Sequence, residues 1–424
     1  MKKILILSYY FEPGNAVGAP RINSWANNFY ESGLHPTVVT RQWKGNEMTW
    51  EDCLNDNLTP LKKEEAEHRT VYYLPYQSTI PAVVKNNRAA SKLYFLYRFA
   101  IGKFNAEIDA YHCFKNFARH LLSTEKFDCI LVSTPPFNLI RLAYELNKEF
   151  NIPYFVDFRD IWNNLVTSDT VKRTFKTVVF NSIEKFYFLK WLKKASRVYT
   201  VSSALKSEIL PVFKGEIELI TNGFEESKFK RVRESLPSKA EFVFSSIGTI
   251  YERQDISIFI EGLKIFYNEV KQNNDFKINL IGLEAVKPVA ERLREELKGM
   301  NVLITAKLPR EQALNYYSQS HLLFIPAWKN YKGIYTAKIF EYLGAGRNIL
   351  AAPGDDDVID TILNDTGAGS IANSVEEFVN ILRTHYYEWK KKGSIDYHAD
   401  AIKVSRYSRE KQAKELVQSM LKAL

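Results

Sequence analysis

Two successive α/β domains, each a doubly wound parallel sheet, are what the sequence predicts. Three observations carry that prediction. The short continuous apolar run Ile4–Leu7 has the pattern of a strand buried on both faces, and Phe242–Ile247 reads as a strand where the alternation restarts. They alternate with helix-length stretches, the order that builds parallel sheets. The alternation stops once, over a polar stretch at 225–240, and then restarts, dividing 424 residues into two domains of ordinary size.

Ile4–Leu7 is the first strand, followed by the loop Glu12–Gly18. A helix opened by Pro20 and closed at Gly33 comes next, with proline and glycine as its punctuation. His35–Thr40 is the second strand, and residues 43–115 read as irregular and rich in aromatics. Alternation resumes with strand Phe127–Thr134, helix Phe137–Phe150, strand Tyr154–Phe158 and a long helix over 170–195. Strands Arg197–Ser202 and Glu218–Thr221 flank a helix at Ala204–Val212. The segment EESKFKRVRESLPSKA loses periodicity and predicts a linker, giving an N-terminal domain over 1–230 and a C-terminal one over 231–406. Strands of the second domain are Phe242–Ile247, Lys277–Ile281, Val302–Thr305, Leu322–Ile325, Asn348–Ala351 and Ser370–Ala372. Ser374 and Glu377 form a capping box ahead of one of its helices. The amphipathic segment 407–424 is predicted to pack back on the N-terminal domain.

Composition narrows the function classes. With 46% apolar and 25% charged residues the chain is an ordinary globular protein. No apolar run reaches the roughly 18 residues of a spanning helix. The start MKKILILSYY lacks a small-residue cleavage site and reads as a strand rather than a signal peptide. Cys53, Cys113 and Cys129 form no CxxC pair, which fits a reducing compartment. The seven histidines have no zinc spacing, so no metal is predicted. A net charge of +9 without a nucleic-acid-binding motif predicts no nucleic-acid partner. Residues 172–197 carry eight basic residues against Glu184 alone, a local charge of +7, with Phe175, Val179, Ile183, Phe186 and Leu189 at helical spacing. That pattern predicts docking on an anionic membrane surface, and so a cytoplasmic protein peripheral to the inner face of the cytoplasmic membrane. A core helix with a solvated basic side has the same pattern.

In doubly wound sheets ligands bind in loops beyond the carboxyl ends of strands. Three such places hold candidate residues. Gly14 and Gly18 follow the first strand, with Arg21 opening the next helix, where free N–H groups suit an anion; the alternative is a flexible loop. Asp157, Arg159 and Asp160 follow a buried strand, as a site or as a structural ion-pair knot. Gly333 and Thr336 precede a short helix bearing Lys338 and Glu341, and Arg253 follows the first strand of the second domain. A carboxylate at 341 accepts two hydrogen bonds, as vicinal hydroxyls require, and a diphosphate suits the helix start and the Arg253 fork. The alternative for Lys338 and Glu341 is a surface salt bridge.

Taken in order, ILILSYYFEP, GAPR, VSTPPF, YFVDFRDIW, YTVSSAL, ITNGF, SSIGTIYERQD, KLPREQALNYYSQSHLLFIPA and KIFEYLGAGRNIL resemble glycosyltransferases of the GT-B fold, family 4 type, in the branch that builds bacterial surface polysaccharides. The resemblance misses mainly 43–125. It implies two Rossmann-like domains facing a cleft, and transfer of a sugar from a UDP- or GDP-sugar to a lipid-linked or glycan acceptor. Retention is usual and no metal is essential; the nucleotide sugar is a substrate, so no cofactor is implied. Carried over, Glu341 takes the ribose hydroxyls, Arg253 with Lys338 the diphosphate, and backbone near Leu308 the base. Gly18 and its neighbour Arg21 close over the phosphates, and Arg159 or Asp160, beside Asp157, lies at the reacting sugar. Two positions depart from the family. Gly333 stands where many members have a glutamate that contacts the donor sugar, and the first cation of an Arg–Lys pair falls near Thr249. These departures keep open a catalytically silent GT-B partner protein, and the fold also serves nucleotide-sugar epimerases.

Overall fold

A computed structural model describes residues 1–14, 16, 18–45, 47, 52, 54–77, 87–101, 110–160, 175–328 and 332–424. The chain forms two compact units, Met1–Thr221 with Gln412–Leu424, and Asn222–Lys411.

The first unit holds an eight-stranded sheet of β1 (Lys2–Ser8), β2 (Leu34–Arg41), β3 (Lys62–Ala66), β4 (Arg69–Leu74), β5 (Cys129–Thr134), β6 (Tyr154–Phe158), β7 (Arg197–Thr200) and β8 (Ile217–Leu219). Their order is β3-β4-β2-β1-β5-β6-β7-β8, parallel except for the β3–β4 pair. Alternation along β1 splits its side chains between two cores. Leu5 and Leu7 pack with Ile130, Val132, Phe114 and Leu142. Ile4 and Ile6 pack on the other face with Ile22 and Trp25, and with Ala413, Leu416, Val417 and Met420 of the C-terminal helix Arg409–Lys422.

The stretch 43–115 is more regular than its sequence predicts. It contains the β3–β4 hairpin and helices Arg88–Ala100 and Ala110–Thr124. Strand β3, KKEEA, has no apolar run to reveal it, because as an exposed edge strand it is protected by charge. Helix Ala110–Thr124 buries Tyr111, Phe114, Ala118, Leu121 and Leu122 at helical spacing. The long helix expected over 170–195 runs Phe175–Leu192; Ile161, Trp162, Lys172 and Arg173 lie outside the described residues, as does Cys53.

The second unit holds six parallel strands, β9 (Phe242–Ile247), β10 (Phe276–Ile281), β11 (Val302–Ile304), β12 (Leu322–Ile325), β13 (Asn348–Ala351) and β14 (Gly369–Ile371), in the order β11-β10-β9-β12-β13-β14. Phe244, Phe259, Phe324 and Phe378 fill one face, the Phe259 and Phe324 rings stacking at 4.2 Å. The expected linker is in part a helix, Glu226–Glu234. Its charged composition conceals Phe229 and Val232, three residues apart, which are buried with Tyr317 in the core on the other face of the sheet. Ser374 accepts the Glu377 N–H at 3.2 Å, as the capping box requires, and Glu377 accepts the Asn373 N–H. Among the described residues no helix is long and apolar enough to cross a membrane.

His321, just before β12, is buried between the Phe242 and Trp389 rings and accepts the Val243 N–H at Nδ1, 3.0 Å away. Burial pulls its pKa down to about 4. The unfolded chain therefore takes up a proton near pH 6.5 that the native state refuses until about pH 4. Stability contributed by neutral His321 is full above about pH 6.5 and lost on acidification through that window, at up to about 1.4 kcal/mol per pH unit. Denaturant titrations at several pH values should show this slope, and His321→Asn should flatten it.

Candidate functional site

In the first unit the loops after β1, β5 and β6 are tied together by two buried arginines. Arg21, in the first turn of helix Ala19–Asn28, reaches Asp157 within β6. Its Nη2 donates to Oδ1 at 2.9 Å and its Nε to Oδ2 at 3.3 Å, while Ser133 Oγ donates to the same Oδ2 at 2.9 Å. The remaining donors go to the carbonyls of Ile220 and Thr221, at 2.8 and 2.6 Å, and the guanidinium lies 4.4 Å over the Trp25 ring. Arg21 and Asp157 thus serve each other, in the manner of a structural knot, and both are buried.

Arg159 is different. Its donors go to three backbone carbonyls: Nε to Thr134 at 3.1 Å, Nη2 to Pro135 at 3.2 Å and Nη1 to Gly18 at 2.6 Å. A Cβ at position 18 would come within 2.1 Å of Nη1, so only glycine permits this approach. Burial lowers the Arg159 pKa, with Asp157 opposing. Asp160 alone of the three candidates here is exposed, and residues 161–174 beyond it lie outside the described set.

In the second unit the helix Ala337–Ala345 buries Ile339, Phe340 and Leu343, as its pattern predicts. Thr336 occupies the N-cap without a side-chain capping bond, and its Oγ1 is buried and has no hydrogen-bond partner. Lys338 is half-buried as a residue, yet its Nζ is buried and has no hydrogen-bond partner either. Its stem leans on the loop after β9, where Gly248 has φ +102° and a Cβ would meet Lys338 Cε at 2.9 Å. Burial pulls the amine's pKa down to about 7, with the Glu341 charge opposing. The two residues form no salt bridge, which removes the surface-pair alternative.

The Glu341 carboxylate has its partners outside the loop 333–336. It turns toward helix Arg310–Gln319, where Tyr317 donates its hydroxyl to Oε2 at 2.8 Å and Arg310 Nη2 lies 3.6 Å from Oε1. Arg310 also pairs with Glu225 at 3.2 Å. Burial first, and then the Glu341 charge, raise the Tyr317 pKa, so this hydroxyl remains a donor. Arg253 is exposed on the turn after β9, and Leu308 is half-buried on the loop after β11. Residues 329–331 of the expected loop lie outside the described set. Beyond them, Lys332 Nζ donates to the carbonyls of Asp355 and Asp356 at 2.7 and 3.2 Å, and Gly333 N–H donates to the Asp357 carboxylate.

An amine and a hydroxyl, both buried and unpartnered, thus lie at the start of one helix, where free N–H groups favour negative charge. Sequence inspection missed the two residues that hold Glu341. Arg310 and Tyr317 are seven residues apart, two helical turns on one face, which is the signal that could have found them. Asp357, inside an acidic run, carried no such signal.

No family model and no curated protein matches the chain. Solved structures do. Sucrose-phosphate synthase from Thermosynechococcus elongatus is 16% identical, with a TM-score of 0.57 over 99% of this chain and 94% of that one. HepE from Anabaena, in complex with UDP and glucose, is 12% identical, with a TM-score of 0.58 over the whole of both chains. The catalytic domain of starch synthase IV from Arabidopsis thaliana, bound to ADP and acarbose, is 12% identical, with a TM-score of 0.52 over 100% and 98%. At these identities the likeness defines the fold, and the fold is GT-B.

The knot and the exposed acid should separate on mutation. Asp157→Ala leaves the Arg21 charge buried without its partner and should cost about 3–5 kcal/mol in urea denaturation. Asp160→Asn, at an exposed position, should stay within about 0.5 kcal/mol of wild type.

Proposed function

We propose that the protein is a nucleotide-sugar-dependent glycosyltransferase of family 4 type. It transfers a hexose, with retention, from a UDP- or GDP-sugar to a lipid-linked or glycan acceptor in surface-polysaccharide synthesis. The observation that carries this reading is the unpartnered Lys338 amine at the start of helix Ala337–Ala345, beside Gly248. A buried donor without an acceptor is unfavourable, and a diphosphate oxygen would relieve it. Structures of similar fold hold UDP or ADP, which supports the same class of ligand for this protein.

In this reading Lys338, Thr336, the helix N–H groups and Arg253 hold the diphosphate and stabilise the charge that grows on it as the sugar leaves. Glu341, oriented by Tyr317 and Arg310, accepts the ribose hydroxyls, and backbone near Leu308 borders the base.

The membrane surface belongs to the same proposal. Helix Phe175–Leu192 buries Phe188, Trp191 and Leu192 but exposes Val179, Phe186 and Leu189. Tyr187 donates to the Ala100 carbonyl at 2.8 Å, which joins this helix to Arg88–Ala100, where Leu93, Leu96 and Tyr97 are exposed. Lys92, Lys185, Lys190, Lys193 and Lys194 are exposed around these apolar residues. Glu184, the helix's one acid, is buried, and burial pushes its pKa up to about 8. At neutral pH the exposed side is therefore cationic and apolar, which suits anionic lipid.

Thermal melts against UDP-, GDP-, ADP- and dTDP-sugars test the donor. A ligand at 100 times its Kd should add about 2.7 kcal/mol, and no shift with any of them contradicts the reading. Lys338→Met should raise the melting temperature of the free protein while weakening UDP binding about 10- to 150-fold and uridine binding little. Sedimentation with phosphatidylglycerol vesicles should be strong at low salt, fall as salt rises, and be lost in a Phe186→Asp, Leu189→Asp double variant. No sedimentation at low salt contradicts the membrane assignment.

A further inference from the structure

We infer that Asp357 reads the sugar of the donor, accepting its hydroxyls and selecting a neutral sugar over an acidic one. This rests on the donor-site reading above and adds the part of the site that discriminates between donors.

The groups across the start of helix Ala337–Ala345 are arranged in order from the β9 side to the β13 side. In the sheet, β12 lies between β9 and β13, and this helix follows β12. Lys338 leans toward the β9 side, against Gly248. Glu341 is on that side too: its partner helix Arg310–Gln319 leads into Ser320, whose hydroxyl bonds Ser245 of β9 at 2.7 Å. The opposite flank is closed by the loop after β13, which is tied to the loop 332–336 through Lys332 and through the Gly333–Asp357 bond. With the nucleoside at Glu341 and the diphosphate at the helix start, the group beyond the second phosphate falls on the β13 flank. Asp357 is the carboxylate there.

Its neighbours in the acidic run are otherwise engaged. Asp355 Oδ1 accepts the N–H groups of Asp357 and Asp360, and Oδ2 that of Ile359. Asp360 accepts those of Asp355 and Asp356. These two acids build the turn, and Asp356 is exposed. Asp357 alone is directed at the loop 332–336, half-buried, with Oδ2 on the Gly333 N–H and acceptor capacity left on Oδ1. A side chain at position 333 would sit at φ +74°, so a carboxylate reaches this place at least strain from the next loop rather than from 333 itself. A carboxylate repels phosphate and accepts hydrogen bonds from hydroxyls, so it suits the uncharged ring of a donor and opposes a second acid, such as a uronate.

The test compares wild type, Asp357→Asn and Asp357→Ala by calorimetric titration with UDP, UDP-glucose and UDP-glucuronate, and with GDP and GDP-mannose. Asp357→Ala should weaken binding of the neutral nucleotide sugar about 10- to 150-fold while leaving its diphosphate within about twofold. Asp357→Asn, which keeps an acceptor for Gly333 and loses the charge, should weaken UDP-glucose less and bind UDP-glucuronate more tightly than wild type does. Equal losses for diphosphate and nucleotide sugar would make Asp357 a loop support and overturn the inference, as would variants indistinguishable from wild type. A wild-type protein that binds neither UDP nor GDP would overturn the donor site itself.

Discussion

Strands buried on both faces leave polar side chains one place to gather, the loops beyond their carboxyl ends, and both units are organised by that constraint. Along β1 and β9 the runs Ile4–Leu7 and Phe242–Phe244 are buried and wholly apolar. The candidate charges lie at the carboxyl ends of strands, as Asp157 does in β6, or in the segments that follow. What differs between the units is whether the charges find partners within the protein.

In the first unit they do. Arg21 and Asp157 satisfy each other and fix β6 to β5 and to the chain at 220–221; Arg159 binds three carbonyls and thereby sets the loop that contains Gly18. These are arrangements that hold a shape. In the second unit Lys338 keeps a buried amine unsatisfied, one turn from a carboxylate that Tyr317 and Arg310 have already oriented elsewhere. Burying an amine without an acceptor is unfavourable to the free protein, and the tilt of its pKa to about 7 is the physical expression of that. An anion entering this place gains from the same imbalance. The glycine at 248 is what lets the lysine stem lie so close to the neighbouring loop.

Much of this was legible in the sequence, and the exceptions have physical causes. Apolar-rich runs between helix-length stretches marked the buried strands, and Tyr154–Phe158, Phe242–Ile247, Leu322–Ile325 and Asn348–Ala351 have the bounds the sequence predicts. Strand β3 escaped because an exposed edge needs no apolar residue, and helix Glu226–Glu234 because it buries only Phe229 and Val232. At the sites, spacing located Lys338 and Glu341 on one helix but not their partners, since a partner is set by tertiary contact. The direction of Glu341 depends on Tyr317, 24 residues away, and the tie between Gly333 and Asp357 spans the same distance. The choice between knot and site at Asp157 likewise turned on Arg21, 136 residues earlier in the chain.

The central claim is that the Lys338 amine is held unsatisfied for a diphosphate. Calorimetric titration of UDP and GDP at pH 8, repeated in two buffers of different ionisation enthalpy, measures the protons taken up on binding. With a free amine of pKa about 7, the account predicts uptake approaching one proton per nucleotide in the wild type and none in Lys338→Met. Binding without proton uptake in the wild type would contradict it.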